Sequence, residues 1–239
     1  MRIIKVKNPQ QGVEVCKKLL YEIASKTSVL FLSGGSTPKT LYEILAKEQK
    51  LKAGAVALID ERFIQNQESR IKNYELPKGT NQLMIEQTGL IRYLKKAKTR
   101  FYPILENKSF EQTTKDYDET VRYLFNYFPK NIGILGIGVD GHTAGIPAGR
   151  IKNQELRIMN ATDLVTSFNN FPAEQRERIT LTFLGLSKLD QIIVLVFGKD
   201  KKKALKLMFQ DSSLAEIPSR FLTQPEITNK VTLITDQEG

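Results

Sequence analysis

Residues Ser28-Val29-Leu30-Phe31-Leu32-Ser33-Gly34-Gly35-Ser36-Thr37-Pro38 decide the fold: a short apolar run ends in paired glycines, then gives way to hydroxyls and a proline. An uninterrupted apolar run of this length reads as a strand covered on both faces, and such strands belong to parallel sheets. The glycines and hydroxyls after it read as a tight turn leading into a helix that begins near Lys39, with Pro38 in the first turn, where a missing N–H is tolerated. Working outward, the pattern recurs in Ala55-Val56-Ala57-Leu58-Ile59, Asn131-Ile132-Gly133-Ile134-Leu135 and Gln191-Ile192-Ile193-Val194-Leu195-Val196-Phe197, each followed by Asp or Gly. Helical patterns fall between these runs, over residues 37–49, 74–86, 113–127 and 201–209. The alternation predicts α/β architecture: a doubly wound, mostly parallel, Rossmann-like sheet flanked by helices. Residues 178–183 and 231–235 alternate instead, as strands nearer an edge do.

Length and composition bound the function. A chain of 239 residues without a long Pro, Gly or Ser tract is expected to form a single domain over 1–239. The longest apolar run, Ile192 to Phe197, is far too short to cross a bilayer, and Met1-Arg2-Ile3-Ile4-Lys5 has no signal-peptide core. A soluble, cytoplasmic protein with no membrane partner is the expectation. One cysteine, Cys16, cannot form an internal disulfide and lies in an amphipathic helical pattern, where burial is its expected fate. Neither zinc nor redox chemistry has support, so no metal is expected. The formal charge of +10 suits an anionic partner. The basic residues are scattered through Lys17-Lys18, Lys95-Lys96 and Lys201-Lys202-Lys203 on helical faces, and no recognition motif accompanies them, so nucleic acid is not expected.

Ligands of an open parallel sheet bind outside the carboxyl ends of the strands, where strand order reverses. That directs attention to strand-end loops. In the first, Gly34 and Gly35 let backbone N–H groups approach an anion, Ser36 and Thr37 add hydroxyls, and a helix N-terminus adds positive charge. It lacks the GK[ST] ending of a P-loop. In the second, Asp60-Glu61-Arg62 sets two carboxylates and a guanidinium at a strand's end. They either pair at the rim or address a ligand, Arg62 gripping a phosphate and Asp60 accepting from sugar hydroxyls. The third, Gly136-Ile137-Gly138-Val139-Asp140-Gly141-His142-Thr143, holds the single histidine. Its glycines satisfy GxGxxG, but Ala144-Gly145-Ile146-Pro147-Ala148-Gly149 carries too many helix breakers to be the helix a dinucleotide site needs. The loop instead suits backbone donors for an oxyanion beside an imidazole acting on water, with Asp140 placed to orient or polarise the ring.

Taken in order, these stretches resemble the 6-phosphogluconolactonases, a branch of the group that also contains the glucosamine-6-phosphate deaminases. The matching motifs are SGGSTP at Ser33 to Pro38, IDER at Ile59 to Arg62, GIGVDGHTA at Gly136 to Ala144, RITLT at Arg178 to Thr182, and a GxxK at Gly198 to Lys201. The resemblance implies hydrolysis of 6-phospho-D-glucono-1,5-lactone in the oxidative pentose phosphate pathway, without metal or organic cofactor. It makes His142 the base that activates water and then protonates the departing ring oxygen. It assigns the phosphate to Arg62, Arg178 and Lys201, and the sugar to Asp60, Thr37 and Asn73. Gly34, Gly35, Gly138 and Gly141 become the loop positions that supply oxyanion donors, with Ser36 beside them. The positive charge favours a dianionic sugar lactone. Three departures stand out. The chain has Gly145-Ile146-Pro147 where the family has a longer apolar pair and Pro, Lys72-Asn73 where it has Ser-Asn, and Gly185 after RITLT.

The same residues leave two rivals. A deaminase of the related branch carries an acidic residue a few positions after the histidine, whereas Thr143 to Ala148 contain none and the next carboxylate is Glu155. A non-catalytic sugar-phosphate sensor would need an output module, and no helix-turn-helix or long extension is evident.

Overall fold

The structure is a computed structural model and describes residues 1–64, 76–149 and 162–237. Its centre is a seven-stranded sheet made of β1 (Arg2–Lys5), β2 (Ser28–Leu32), β3 (Ala55–Leu58), β5 (Arg100–Phe101), β6 (Lys130–Gly136), β9 (Gln191–Val196) and β10 (Val231–Thr235), in the order β1-β10-β9-β6-β2-β3-β5. Every pairing in it is parallel. All five residues of β2 are buried, as its unbroken apolar run demands. The helices α1 (Pro9–Ile23), α2 (Ser36–Glu48), α3 (Asn81–Gln87), α4 (Leu90–Lys96) and α5 (Phe110–Tyr127) follow or cross between these strands. Local chemistry sets their starts. The Asn8 side chain accepts from the Gln11 N–H at 2.9 Å ahead of Pro9, and the Ser109 hydroxyl accepts from the Gln112 N–H at 3.2 Å. Cys16 is fully buried in α1, and burial pushes its thiol far up, which leaves it inert at neutral pH.

From β2 the chain steps through β3 to β5 on one side, and through β6 to β9 and β10 on the other. Strand order therefore reverses between β2 and β6, and the crevice at that point opens outside their carboxyl ends. The loops leaving those two strands are the glycine-rich segments of the SGGSTP and GIGVDGHTA motifs. No helix among the described residues is long and apolar enough to cross a membrane.

A second sheet departs from expectation. Asp60–Arg62 forms β4, which pairs antiparallel with β8 (Arg178–Leu181), and β8 pairs with β7 (Val165–Phe168). Of residues 178–183, Arg178–Leu181 belong to a separate three-stranded antiparallel sheet and not to the margin of the main one, while Thr182 caps and Phe183 opens the short helix α6 (Phe183–Ser187). β10 lies one strand inside the main sheet, covered by β1, whose apolar content is the short Ile3-Ile4 pair between charged residues. The helix expected over 74–86 begins only at Asn81; residues 74 and 75 lie outside the described residues. Pro77-Lys78-Gly79 makes a turn, with Gly79 at φ +87, and Thr80 then caps α3 by accepting from the Leu83 N–H at 3.3 Å.

One side chain substitutes for a strand. β5 pairs only with Ala55 and Val56, so Leu58 has no strand neighbour on that side. The buried hydroxyl of Tyr117, from α5, accepts from the Leu58 N–H at 2.8 Å and donates to the Leu58 carbonyl at 2.6 Å. Tyr117→Phe leaves both backbone groups dry and unpaired, a loss of about 2–4 kcal/mol. Urea unfolding should show a lower midpoint, corresponding through the m-value to a loss of that size, and a loss below about 0.5 kcal/mol would contradict the account.

Candidate active site

The crevice at the reversal is an open cleft of about 640 Å³. Gly34, Gly35, Ser36, Thr37, Asp60, Arg62, Gly138, Asp140, His142, Arg178 and Lys201 all line it. Of the residues expected there, Gly141 is not on the wall and Asn73 lies outside the described residues.

The β6 loop builds the imidazole's position. Isolated bridges join Ile137 to Thr143 and Thr143 to Ile146, and the Gly138 N–H donates to the His142 carbonyl at 2.8 Å. Within this closed loop His142 Nδ1 lies 2.6 Å from Asp140 Oδ1, and the His142 N–H donates to the same oxygen at 3.2 Å. With Nδ1–H engaged by Asp140, the other ring nitrogen carries the lone pair that can take a proton. The hydrogen bond from His142 holds the Asp140 carboxyl down at about 2. That value lies below the ~3.9 of a free carboxyl. The stability this contributes is therefore present above the free-carboxyl range and is lost as pH falls through the folded value. Unfolding midpoints of Asp140→Asn should trail those of wild type near neutrality and converge with them as pH approaches about 2; parallel curves would contradict this.

Two of the oxyanion donors expected from this loop are engaged, the Gly141 N–H donating to the Gly138 carbonyl at 3.0 Å and the Gly138 N–H to the His142 carbonyl. The β2 loop is different. Among the described residues, none of the N–H groups from Gly34 to Thr37 donates to a protein acceptor. α2 begins at Ser36, earlier than expected, and no side chain caps it. Gly34 to Thr37 line the cleft, and the helix's positive end lies among them.

The second sheet supplies the charge. Arg62 and Arg178 are directly opposed across β4 and β8. Neither is within salt-bridge distance of a carboxylate among the described residues. Arg62 donates from Nη1 to the Gly79 carbonyl at 2.5 Å, and Arg178 from Nη1 to the Gln175 and Glu177 carbonyls at 2.5 and 3.0 Å. Burial first, and then the neighbouring Arg62, pull Arg178 down to about 10, so it remains charged at neutral pH. Lys201 lies in the turn after β9, just before α7 (Lys202–Phe209), and adds a third cation.

Asp60 is pushed up by burial, against the pull of Arg178, Arg62 and His142. Asn81, absent from the residues the sequence singled out, holds it: Nδ2 donates to the Asp60 carbonyl at 3.0 Å and to Oδ2 at 3.1 Å, and Asn81 lines the cleft. Its own backbone is fixed by Glu61, which is wholly buried and accepts from the Arg62, Asn81 and Gln82 N–H groups at 2.6, 2.6 and 2.7 Å. Burial pushes the Glu61 carboxyl up to about 8, while those three donors pull it back down. The signal in the sequence was Thr80-Asn81, a hydroxyl and an Asn opening a helix, which fits a Ser-Asn pattern better than Lys72-Asn73 does.

A basic strand-end cleft at the reversal of a parallel sheet, with an imidazole-carboxylate pair on its wall, defines a doubly wound α/β protein equipped for an anionic ligand. Residues 10–232 match the family described as glucosamine-6-phosphate isomerases/6-phosphogluconolactonase, and the chain belongs to that family. A glucosamine-6-phosphate deaminase of Clostridium beijerinckii is 26% identical, covering 100% of this chain and 98% of that one. A 6-phosphogluconolactonase of a Nostoc species is 30% identical, covering 82% of this chain and 77% of its own length. Among solved structures, 6-phosphogluconolactonase from Plasmodium vivax has the same fold, with a TM-score of 0.78 at 18% identity over 99% of this chain and 90% of that one.

Proposed function

We propose that residues 1–239 act as one catalytic unit that hydrolyses 6-phospho-D-glucono-1,5-lactone to 6-phosphogluconate, the second step of the oxidative pentose phosphate pathway. The observation that carries this reading is the imidazole of His142, held on Asp140 and set in a cleft whose cations carry no carboxylate partner among the described residues. Arg62, Arg178 and Lys201 hold the phosphate, with Asp60, Asn81 and the Ser36 and Thr37 hydroxyls on the sugar. The free nitrogen of His142 takes a proton from water as its oxygen bonds to the lactone carbonyl carbon. The free N–H groups from Gly34 to Thr37 receive the oxyanion. Collapse breaks the bond to the ring oxygen, the imidazolium returns the proton to that oxygen, and neutral His142 is restored. One water is consumed and no metal or cofactor takes part.

The second reading is the deaminase. Its support is Asp60, a cleft-lining carboxyl whose pKa is raised by desolvation and which is placed to move protons in ring opening and isomerisation. Against it, Thr143 to Gly149 contain no acidic residue, and this stretch is tied back by the Gly145 N–H donating to Thr180 Oγ1 at 3.0 Å. Asp60 and Asp140 are the only carboxylates among the described lining residues. The deciding experiment measures both activities on one preparation: 6-phosphogluconate formation from the lactone above the spontaneous rate, and ammonia release from glucosamine 6-phosphate. Lactone acceleration without ammonia supports the proposal; ammonia without lactone acceleration replaces it with the deaminase, and neither activity in folded protein leaves a sensor.

A further inference from the structure

Phe171 stands between the two working ends of the cleft. It is 7% exposed and lies in the loop that joins β7 to β8. Its ring meets that of His142 edge-on, with centroids 5.2 Å apart and planes at 82°. The Arg178 guanidinium lies over the same ring, 4.4 Å from its centroid. The loop is closed by its own backbone, the Phe171 N–H donating to the Arg176 carbonyl at 3.0 Å and the Ala173 N–H to the Phe171 carbonyl at 2.8 Å.

We propose that Phe171 is a positioning residue that fixes the His142 imidazole and the Arg178 guanidinium relative to each other, so that the base and the anion-binding end of the cleft are set as one unit. The chemistry of the side chain is the argument. A buried guanidinium needs support, and the usual support, a carboxylate, would cancel its charge and compete with a phosphate for its donors. An aromatic face and carbonyl oxygens stabilise the cation without neutralising it. Here Arg178 has one ring and two carbonyls, and keeps its charge for a ligand. The same ring limits how the imidazole can tilt about its bond to Asp140, because an edge-on aromatic contact is directional where an aliphatic one is not. The inference rests on the proposed function for the identity of the ligand, but not for the geometry.

The test compares Phe171→Leu, which keeps apolar bulk, with Phe171→Tyr, which keeps the ring, with thermal melting as the control for folding. For lactone hydrolysis, Phe171→Leu should lower kcat and raise KM, each by about tenfold, and Phe171→Tyr should hold both within about threefold of wild type. Loss of kcat alone or KM alone in Phe171→Leu, equal losses in both variants, or wild-type behaviour in Phe171→Leu would each overturn the coupling. Should the wild type lack lactone hydrolysis, the proposed function fails and the positioning role is still measured, because His142 is the chain's single histidine and gives one resolved set of ring-proton signals. Titrated with inorganic phosphate, those signals should report about tenfold weaker binding in Phe171→Leu than in wild type or Phe171→Tyr. Equal phosphate affinity in all three would overturn the proposal.

Discussion

His142→Ala should abolish nearly all enzymatic lactone hydrolysis, lowering kcat by about 10²–10⁴-fold, while costing no more stability than Asp140→Asn, which breaks the same hydrogen bond. The imidazole sits at the cleft wall, about a third exposed, so its removal opens no core cavity. KM should move little, because the arginines and lysine proposed to hold the phosphate are untouched. The assay tracks 6-phosphogluconate formation with the spontaneous opening subtracted, since at the lower rate the uncatalysed reaction is a large share of the signal. A kcat within threefold of wild type would remove His142 from the chemistry and return attention to Asp60.

Gly138→Ala should cost about 10²-fold in kcat by displacing the dyad without removing either member. A Cβ at this position would fall 2.0 Å from His142 Nδ1 and 2.7 Å from Asp140 Oδ1. Real carbon atoms do not approach so closely, so the hydrogen bond of 2.6 Å between the two residues must break or the loop must open. An opened loop would also give up the hydrogen bond from the residue 138 N–H to the His142 carbonyl. The substitution therefore distinguishes the geometry of the dyad from its composition. Crystallography or the His142 ring-proton signals would show the displaced ring, and full activity with an intact dyad would contradict the packing described.

The sequence was most informative where one physical constraint acted alone. β2 coincides with the run that named it, because burial on both faces makes Val29 to Leu32 uniformly apolar behind the buried Ser28. The loops after β2 and β6 were legible because glycine and hydroxyl residues at a strand's end have few structural uses. Strand assignment to a sheet was not legible, since period-2 alternation in residues 178–181 reports a strand and says nothing of its neighbours. β4 was missed for a related reason: Asp60-Glu61-Arg62 is polar throughout, and it is a strand because β8 pairs with it. Glu61 could be read as a rim charge in the sequence, but it is a buried cap whose partners lie twenty or so residues away. Phe171 carried no motif at all. Its place depends on a loop closing between two strands, which no local spacing encodes.

The phenol of Tyr117 bears on how copies of the chain can associate. A sheet ordinarily ends in a row of unpaired amides and carbonyls, and that row can template a foreign strand. On the β3 side the row is two residues of β5 long, and past it the Leu58 groups are already engaged by Tyr117. Fibrillar growth or strand exchange therefore finds no continuous seam there. The opposite margin, β1, is four residues with Arg2 and Lys5 at its ends, where an approaching copy brings the same positive charges against itself.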